Sequence, residues 1–157
     1  MEAVPRSFFS WNFEILENSQ KIADLDMSSW REKGLVQVDG ANFTISKEGF
    51  INPTFTFSQD NTELATATKE TMLSHGFVVD VDGKRFYLKK KSFFSRVMLF
   101  SNDLGSIGTI KRRSLFKRGA LVELPEDVDL PVRIFVIWLV LLMWKRDSDN
   151  AASSGSG

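Results

Sequence analysis

The sequence predicts a mainly β fold, a closed antiparallel barrel of about twelve strands around a buried apolar helix near the C-terminus. Three observations predict it. A unit of roughly 42 residues recurs three times, apolar residues within each unit alternate with a period of two, and one unbroken apolar run follows the third unit.

The repeat is clearest where Val38-Asp39-Gly40-Ala41-Asn42-Phe43-Thr44-Ile45 returns as Val81-Asp82-Gly83-Lys84-Arg85-Phe86-Tyr87-Leu88, 43 residues later. The same offset pairs Phe57-Ser58-Gln59-Asp60 with Phe100-Ser101-Asn102-Asp103. A fainter first copy lies 42 residues upstream of the second. There Ser7-Phe8-Phe9-Ser10 matches Gly49-Phe50-Ile51-Asn52 and Ser92-Phe93-Phe94-Ser95, and Ile15 matches Phe57 and Phe100. Ile22, Leu64 and Ile107 are then expected at matching inward positions, and Gly34, Gly76 and Gly119 at the openings of matching strands.

Within a copy, Phe55/Phe57, Phe77/Val79/Val81, Phe86/Leu88 and Val97/Leu99 alternate, the pattern of strands with one buried face. Asp39-Gly40 and Asp82-Gly83 supply the positive φ that tight hairpins need. About four strands per copy would make a sheet large enough to curl, and closure removes edges that would otherwise aggregate.

The third copy ends differently, reading Leu124-Pro125-Glu126-Asp127 and then Leu130-Pro131. Pro131 suits a first helical turn, Asp127 and Asp129 suit the positive end of a helix dipole, and Lys145-Arg146 suit the other end. Between them Ile134 to Trp144 is apolar throughout. As a helix that run is about 17 Å long, short of a hydrocarbon core of about 30 Å, so it is expected inside the barrel. One domain is expected over residues 1–146, with its core helix at about 131–146, and residues 147–157 are expected to be disordered.

The chain has no cysteine, which excludes disulfides, thiolate metal sites and a cysteine nucleophile. No apolar leader precedes Trp11, so the expected location is cytoplasmic, or peripheral at a membrane. Net charge is zero but unevenly spread. Residues 84–118 carry eleven Lys/Arg against the single acid Asp103, while residues 1–83 carry six against thirteen and residues 119–157 three against six. Electrostatic contact with a partner is therefore expected through the middle segment.

No residue set amounts to a catalytic or metal site. His75, the only histidine, stands beside Gly76 with nothing to complete a triad. Asp80 and Asp82 are explained by a hairpin turn rather than a cation loop, and Asp24 and Asp26 by the solvated face of a strand. The fourteen Phe fall mostly on alternating positions, as core residues do, so a base-stacking platform is the weaker reading. What stands out is the basic set Lys84, Arg85, Lys89, Lys90, Lys91, Lys111, Arg112, Arg113, Lys117 and Arg118, with Arg96 among them. Two partners fit it, anionic lipid or phosphorylated ligands and, second, nucleic acid. The plain alternative is that lysine-rich edges keep strands from pairing with other chains.

Taken together, Val81-Asp82-Gly83-Lys84-Arg85-Phe86-Tyr87-Leu88, Asp103-Leu104-Gly105-Ser106-Ile107-Gly108, and Leu124-Pro125 leading into Ile134–Trp144 resemble the tubby C-terminal domain superfamily, with its LURP-one-related and phospholipid scramblase-like barrels. The resemblance spans Phe8 to Trp144. It implies a barrel threaded by its C-terminal helix and, in part of that superfamily, phosphoinositide binding or a role in lipid movement. The chain is shorter than a typical tubby domain, and its acids near the helix, Glu123, Glu126, Asp127 and Asp129, lack the spacing and glycine of a calcium loop. Neither calcium nor any head-group residue carries over.

The functional expectation is a non-enzymatic binding module, without cofactor, that takes anionic phospholipid or phosphoinositide head groups on a basic face of the barrel wall. The alternatives are a protein anchored by Ile134–Trp144 as a transmembrane helix and an enzyme built on a polar cluster that the sequence does not display.

Overall fold

The structure, a computed structural model, describes residues 1–8, 10–27, 32–69, 76–114 and 118–155. Alternation of apolar and polar residues builds twelve strands among them. The first copy of the repeat gives β1 (Glu2–Pro5), β2 (Phe13–Glu17), β3 (Gln20–Asp26) and β4 (Gly34–Val38). The second gives β5 (Ala41–Glu48), β6 (Thr54–Gln59), β7 (Thr62–Thr68) and β8 (Gly76–Val81). The third gives β9 (Lys84–Lys90), β10 (Val97–Asn102), β11 (Gly105–Arg112) and β12 (Ala120–Glu123), and α1 (Leu130–Ser154) follows. Each strand pairs antiparallel with its sequence neighbours. β1 meets β12 through Glu2↔Leu121 and Ala3↔Ala120, which closes the barrel.

The three copies are structurally equivalent, and the irregularities prove it more sharply than the strands do. The β2–β3, β6–β7 and β10–β11 ladders each slip by one residue, after Ile15, Phe57 and Phe100, the three positions the repeat aligns. A β-bulge is a specific local device, so its recurrence at one aligned site reflects a repeated unit. Ile22, Leu64 and Ile107 are the third residues of β3, β7 and β11, half-buried and packed on the core. Gly34 and Gly76 begin β4 and β8, and Gly119 directly precedes β12.

Helix α1 fills the barrel. Val132 and every residue from Ile134 to Trp144 are buried, on all faces of the helix, against the inward rows of the strands. Phe57 stacks on Phe135 with centroids 5.1 Å apart, and Phe55 meets Trp138 edge-on at 5.5 Å. The anchor reading is thereby corrected: this apolar run is enclosed by strands, and among the described residues no helix is long and apolar enough to cross a membrane.

Two further expectations change at the C-terminal end. The helix does not stop at 146, and residues 147–154 continue it rather than forming a disordered tail. Lys145 pairs with Asp149 one turn on at 2.8 Å, and Asp147 pairs with Lys90 of β9 at 3.2 Å, so the extension is held to itself and to the wall. Lys145 and Arg146 consequently lie well inside the helix and not in its last turn. At the other end Pro131 sits in the first turn as expected, with Asp129 as N-cap.

Candidate functional site

The antiparallel order assigns every connection to one of two poles. Tight hairpins close one pole: Asn18-Ser19, Asp39-Gly40, Asp60-Asn61, Asp82-Gly83 and Asp103-Leu104 link consecutive strands there. Except in the last, both residues of each pair adopt positive φ, between 48° and 80°. Longer connections form the opposite pole, among them those between β1 and β2, β5 and β6, and β9 and β10. Helix α1 enters at the hairpin pole, where β12 ends, and leaves through the loop pole, where Arg146 reaches Glu32 and Asp147 reaches Lys90.

Charge follows the same axis. The loop pole comprises the connections there, the two strand residues next to each, and the helix beyond Trp144. It holds fourteen Lys/Arg and six Asp/Glu among the described residues, a formal +8. The hairpin pole, bounded the same way and including the first helical turns, holds four Lys/Arg and eleven Asp/Glu among the described residues, a formal −7. A neutral chain has folded into a barrel with opposite charge at its two ends.

This division separates the residues that the sequence grouped as one wall face. Lys84 and Arg85 open β9 at the acidic pole, and Lys89 and Lys90 end it at the basic one. Six residues of strand put roughly 20 Å between Lys84 and Lys90. Arg85 is taken up by Asp80, whose carboxylate accepts its Nε–H at 2.8 Å and keeps its pKa raised. Lys91 and Lys111 do converge, since both face Val97 of the intervening strand, roughly 10 Å apart across two ladder spacings. Arg112 and Arg113 continue from Lys111, and Arg118 lies on the far side of the same connection. Lys117 and His75 lie outside the described residues.

Pairing decides which of these cations remain open to a ligand. Arg113 meets Glu2 at 3.0 Å, Lys90 meets Asp147, and Arg146 and Lys47 both hold Glu32. Burial pushes the Glu32 carboxyl up, but hydrogen bonds and charge from Arg146 and Lys47 more than offset this and hold it at about 2. Six basic-pole cations have no carboxylate partner among the described residues: Lys69, Lys91, Arg96, Lys111, Arg112 and Arg118. Arg112 is half-buried over the Trp144 ring at 4.9 Å, and burial lowers its pKa without removing its charge. Arg118 covers Trp11 in the same way at 4.7 Å.

Two open grooves beside the helix exit share Lys69 and Arg146. Both also include Asn150; one is completed by Gly76, Phe77, Lys90, Met143 and the carboxylate of Asp147, the other by Lys47, Phe50, Ile51, Pro53 and the carboxylate of Asp149. Both combine cations with apolar walls. Among the described residues there is no group of three His, Cys, Asp or Glu that would hold a metal ion.

Sequence reasoning missed Lys47, Lys69, Lys145 and Arg146, which belong to this pole although they lie outside residues 84–118. The available signal was strand parity: once twelve strands alternate in direction, alternate connections share an end. No protein-family model, curated protein or solved structure matches this chain.

Proposed function

We propose that the protein is a non-enzymatic module of the tubby-like barrel type that binds surfaces of anionic phospholipid, phosphoinositides included, through the basic pole of its barrel. The observation that carries this reading is the axial separation of charge, with six cations that have no carboxylate partner among the described residues gathered at one end. A solvated surface ordinarily mixes signs, whereas here each pole is strongly of one sign. Such a molecule orients itself in the field of an anionic leaflet before contact, with the acidic pole turned away.

Each lysine or arginine close to an anionic leaflet gains about 1 kcal/mol, an attraction screened over about 8–10 Å at ordinary salt. Lys91, Arg96 and Lys111 are well suited to a test, being unpaired with carboxylates and solvent-facing. Sedimentation with vesicles containing phosphatidylserine or phosphatidylinositol phosphates should show binding that weakens with salt, and neutral phosphatidylcholine vesicles should leave the protein in solution. Replacing all three residues by Ser should lower affinity by roughly a hundredfold. Lys84→Ser, at the acidic pole, should change nothing. Equal binding to anionic and neutral vesicles, or none to either at low salt, refutes the reading. Binding to duplex DNA in place of vesicles, with a steep salt slope, would assign the basic pole to nucleic acid.

A further inference from the structure

The basic pole exposes large apolar side chains. Phe8, Phe50, Ile51, Phe93 and Phe94 are 72% to 100% exposed, and all lie in the connections β1–β2, β5–β6 and β9–β10. These are the aligned segments Ser7–Ser10, Gly49–Asn52 and Ser92–Ser95 of the three copies. The first and third are built alike. Ser10 N–H donates to the Ser7 carbonyl at 3.2 Å and Ser95 N–H to that of Ser92 at 3.0 Å. The Ser10 and Ser95 hydroxyls then accept from the N–H of Asn12 and Val97. In the second, Gly49 at φ +79° makes the turn. Defined turns in all three accompany the exposure of Phe8, Phe50-Ile51 and Phe93-Phe94.

The closed order of the strands fixes how these loops are arranged. Four strands separate each from the next around a ring of twelve, so they stand a third of a turn apart. With strands about 4.8 Å apart, the loops are roughly 15–20 Å from one another. Three apolar feet so spaced touch a plane together, and a single peptide or groove-binding ligand does not span them. Cations lie between the feet: Lys91 and Arg96 bracket Phe93-Phe94, and Lys47 and Lys69 line the groove beside Phe50-Ile51. Apolar tips among cations match the interface of an anionic bilayer, acyl chains beneath charged head groups.

The geometry points to a tripod: the barrel stands end-on on an anionic leaflet with Phe8, Phe50-Ile51 and Phe93-Phe94 inserted below the head groups and the α1 axis near the membrane normal. This inference rests on the anionic-lipid reading above and adds to it an orientation and a depth.

Because the chain contains no cysteine, single cysteines report on single sites. Phe50→Cys and Phe94→Cys place a polarity-sensitive fluorophore on two of the feet. Leu104→Cys places it on the exposed leucine of the hairpin pole. With vesicles of phosphatidylserine and phosphatidylcholine, the labels at 50 and 94 should shift to the blue and be quenched by lipids carrying a quencher on the acyl chain, while the label at 104 should do neither. In unlabelled protein, Phe50→Ser with Phe94→Ser should weaken binding at physiological salt by about tenfold or more per ring and leave low-salt sedimentation largely intact. Sedimentation with anionic vesicles but no response at 50 or 94 overturns the tripod and leaves the electrostatic reading standing. Responses equally strong on neutral vesicles uphold the tripod and refute the anionic preference. A response at 104, or one at 50 that grows with protein concentration in the absence of vesicles, overturns the tripod in favour of another orientation or of self-association.

Discussion

Gly34 begins β4 directly beneath the central tryptophan of the plug, and Gly34→Ala tests that packing at the level of one methyl group. A Cβ added at Gly34 would lie 2.5 Å from Trp138 Nε1, 2.9 Å from Trp138 Cε2 and 3.1 Å from Ile45 Cδ1. The first two atoms belong to a rigid indole, fully buried and held edge-on by Phe55, so the strand or the helix must move. Overpacking of this kind costs about 1–3 kcal/mol, which for a domain of this size lowers Tm by roughly 2–12 °C. Trp138→Phe removes the clashing atoms. It also removes a buried indole N–H that has no hydrogen-bond partner among the described residues, which partly offsets the lost volume. In the Trp138→Phe background Gly34→Ala should therefore cost much less, giving a coupling of about 1 kcal/mol or more in a double-mutant cycle. Urea unfolding of the four proteins, followed by circular dichroism, measures it. The reasoning is refuted if Gly34→Ala melts like the parent, or if the two substitutions are additive, since either result would mean that Gly34 and Trp138 are not in contact.

Two other outcomes check the plug and its fastening. Ile137 is fully buried within the apolar run of the helix, so Ile137→Asp places an unpaired carboxylate among apolar strand faces. It should leave no cooperative melting transition by circular dichroism, and a native-like melt would show that the helix is not the core. Glu32 joins the helix exit to the wall through Arg146, at 2.6 Å, and Lys47. Its carboxyl is held at about 2 against an ordinary 4.5, so the stabilisation is fully present above about pH 4.5 and is lost as pH falls toward 2. Allowing for partial exposure, Glu32→Gln should cost about 1–2 kcal/mol at pH 7, with the difference from the parent shrinking across that acid range. Equal urea midpoints at pH 7 would show that the clamp contributes nothing.

Strands and plug were legible in the sequence because each is written in local chemistry. The period of two marks Phe55/Phe57 and Phe86/Leu88, the Asp-Gly pairs mark hairpins, and apolarity on every face marks a helix with no solvated side. Residues 147–154 were misread because their order comes from partners distant in sequence, such as Lys90 for Asp147. The grouping of the cations was legible only in part, because distance along a strand is not distance on a surface. Lys84 and Lys90 are neighbours in sequence and lie at opposite poles, while Lys47, Lys91 and Arg146, from three different parts of the chain, come to the same one.

The two poles also differ in how much of their chemistry the fold itself explains. At the hairpin pole, two-residue turns between twisted strands require positive φ, and Asp39, Asp60 and Asp82 each adopt it at 48°. Aspartate and asparagine tolerate that conformation better than most residues, so acidity there follows in part from turn geometry. At the loop pole positive φ occurs at Glu32 and Gly49, but it calls for neither the cations nor the exposed aromatics there. Phe50 is wholly exposed, Phe93 and Phe94 touch one another edge-on at 5.0 Å, and all three stand in solvent. A residue that adds nothing to the core is free to become polar, and exposed apolar side chains carry a solubility penalty. Yet each copy of the repeat carries an exposed aromatic at the aligned place, Phe8, Phe50 and Phe93, within the half of the molecule that is rich in unpaired cations. Folding accounts for the acidic pole in part and, at the basic pole, for the paired cations Lys47, Lys90 and Arg146, which fasten the helix exit to the wall. It does not account for the exposed aromatics there, and the proposed contact with an anionic leaflet would account for these together with the cations that have no carboxylate partner among the described residues.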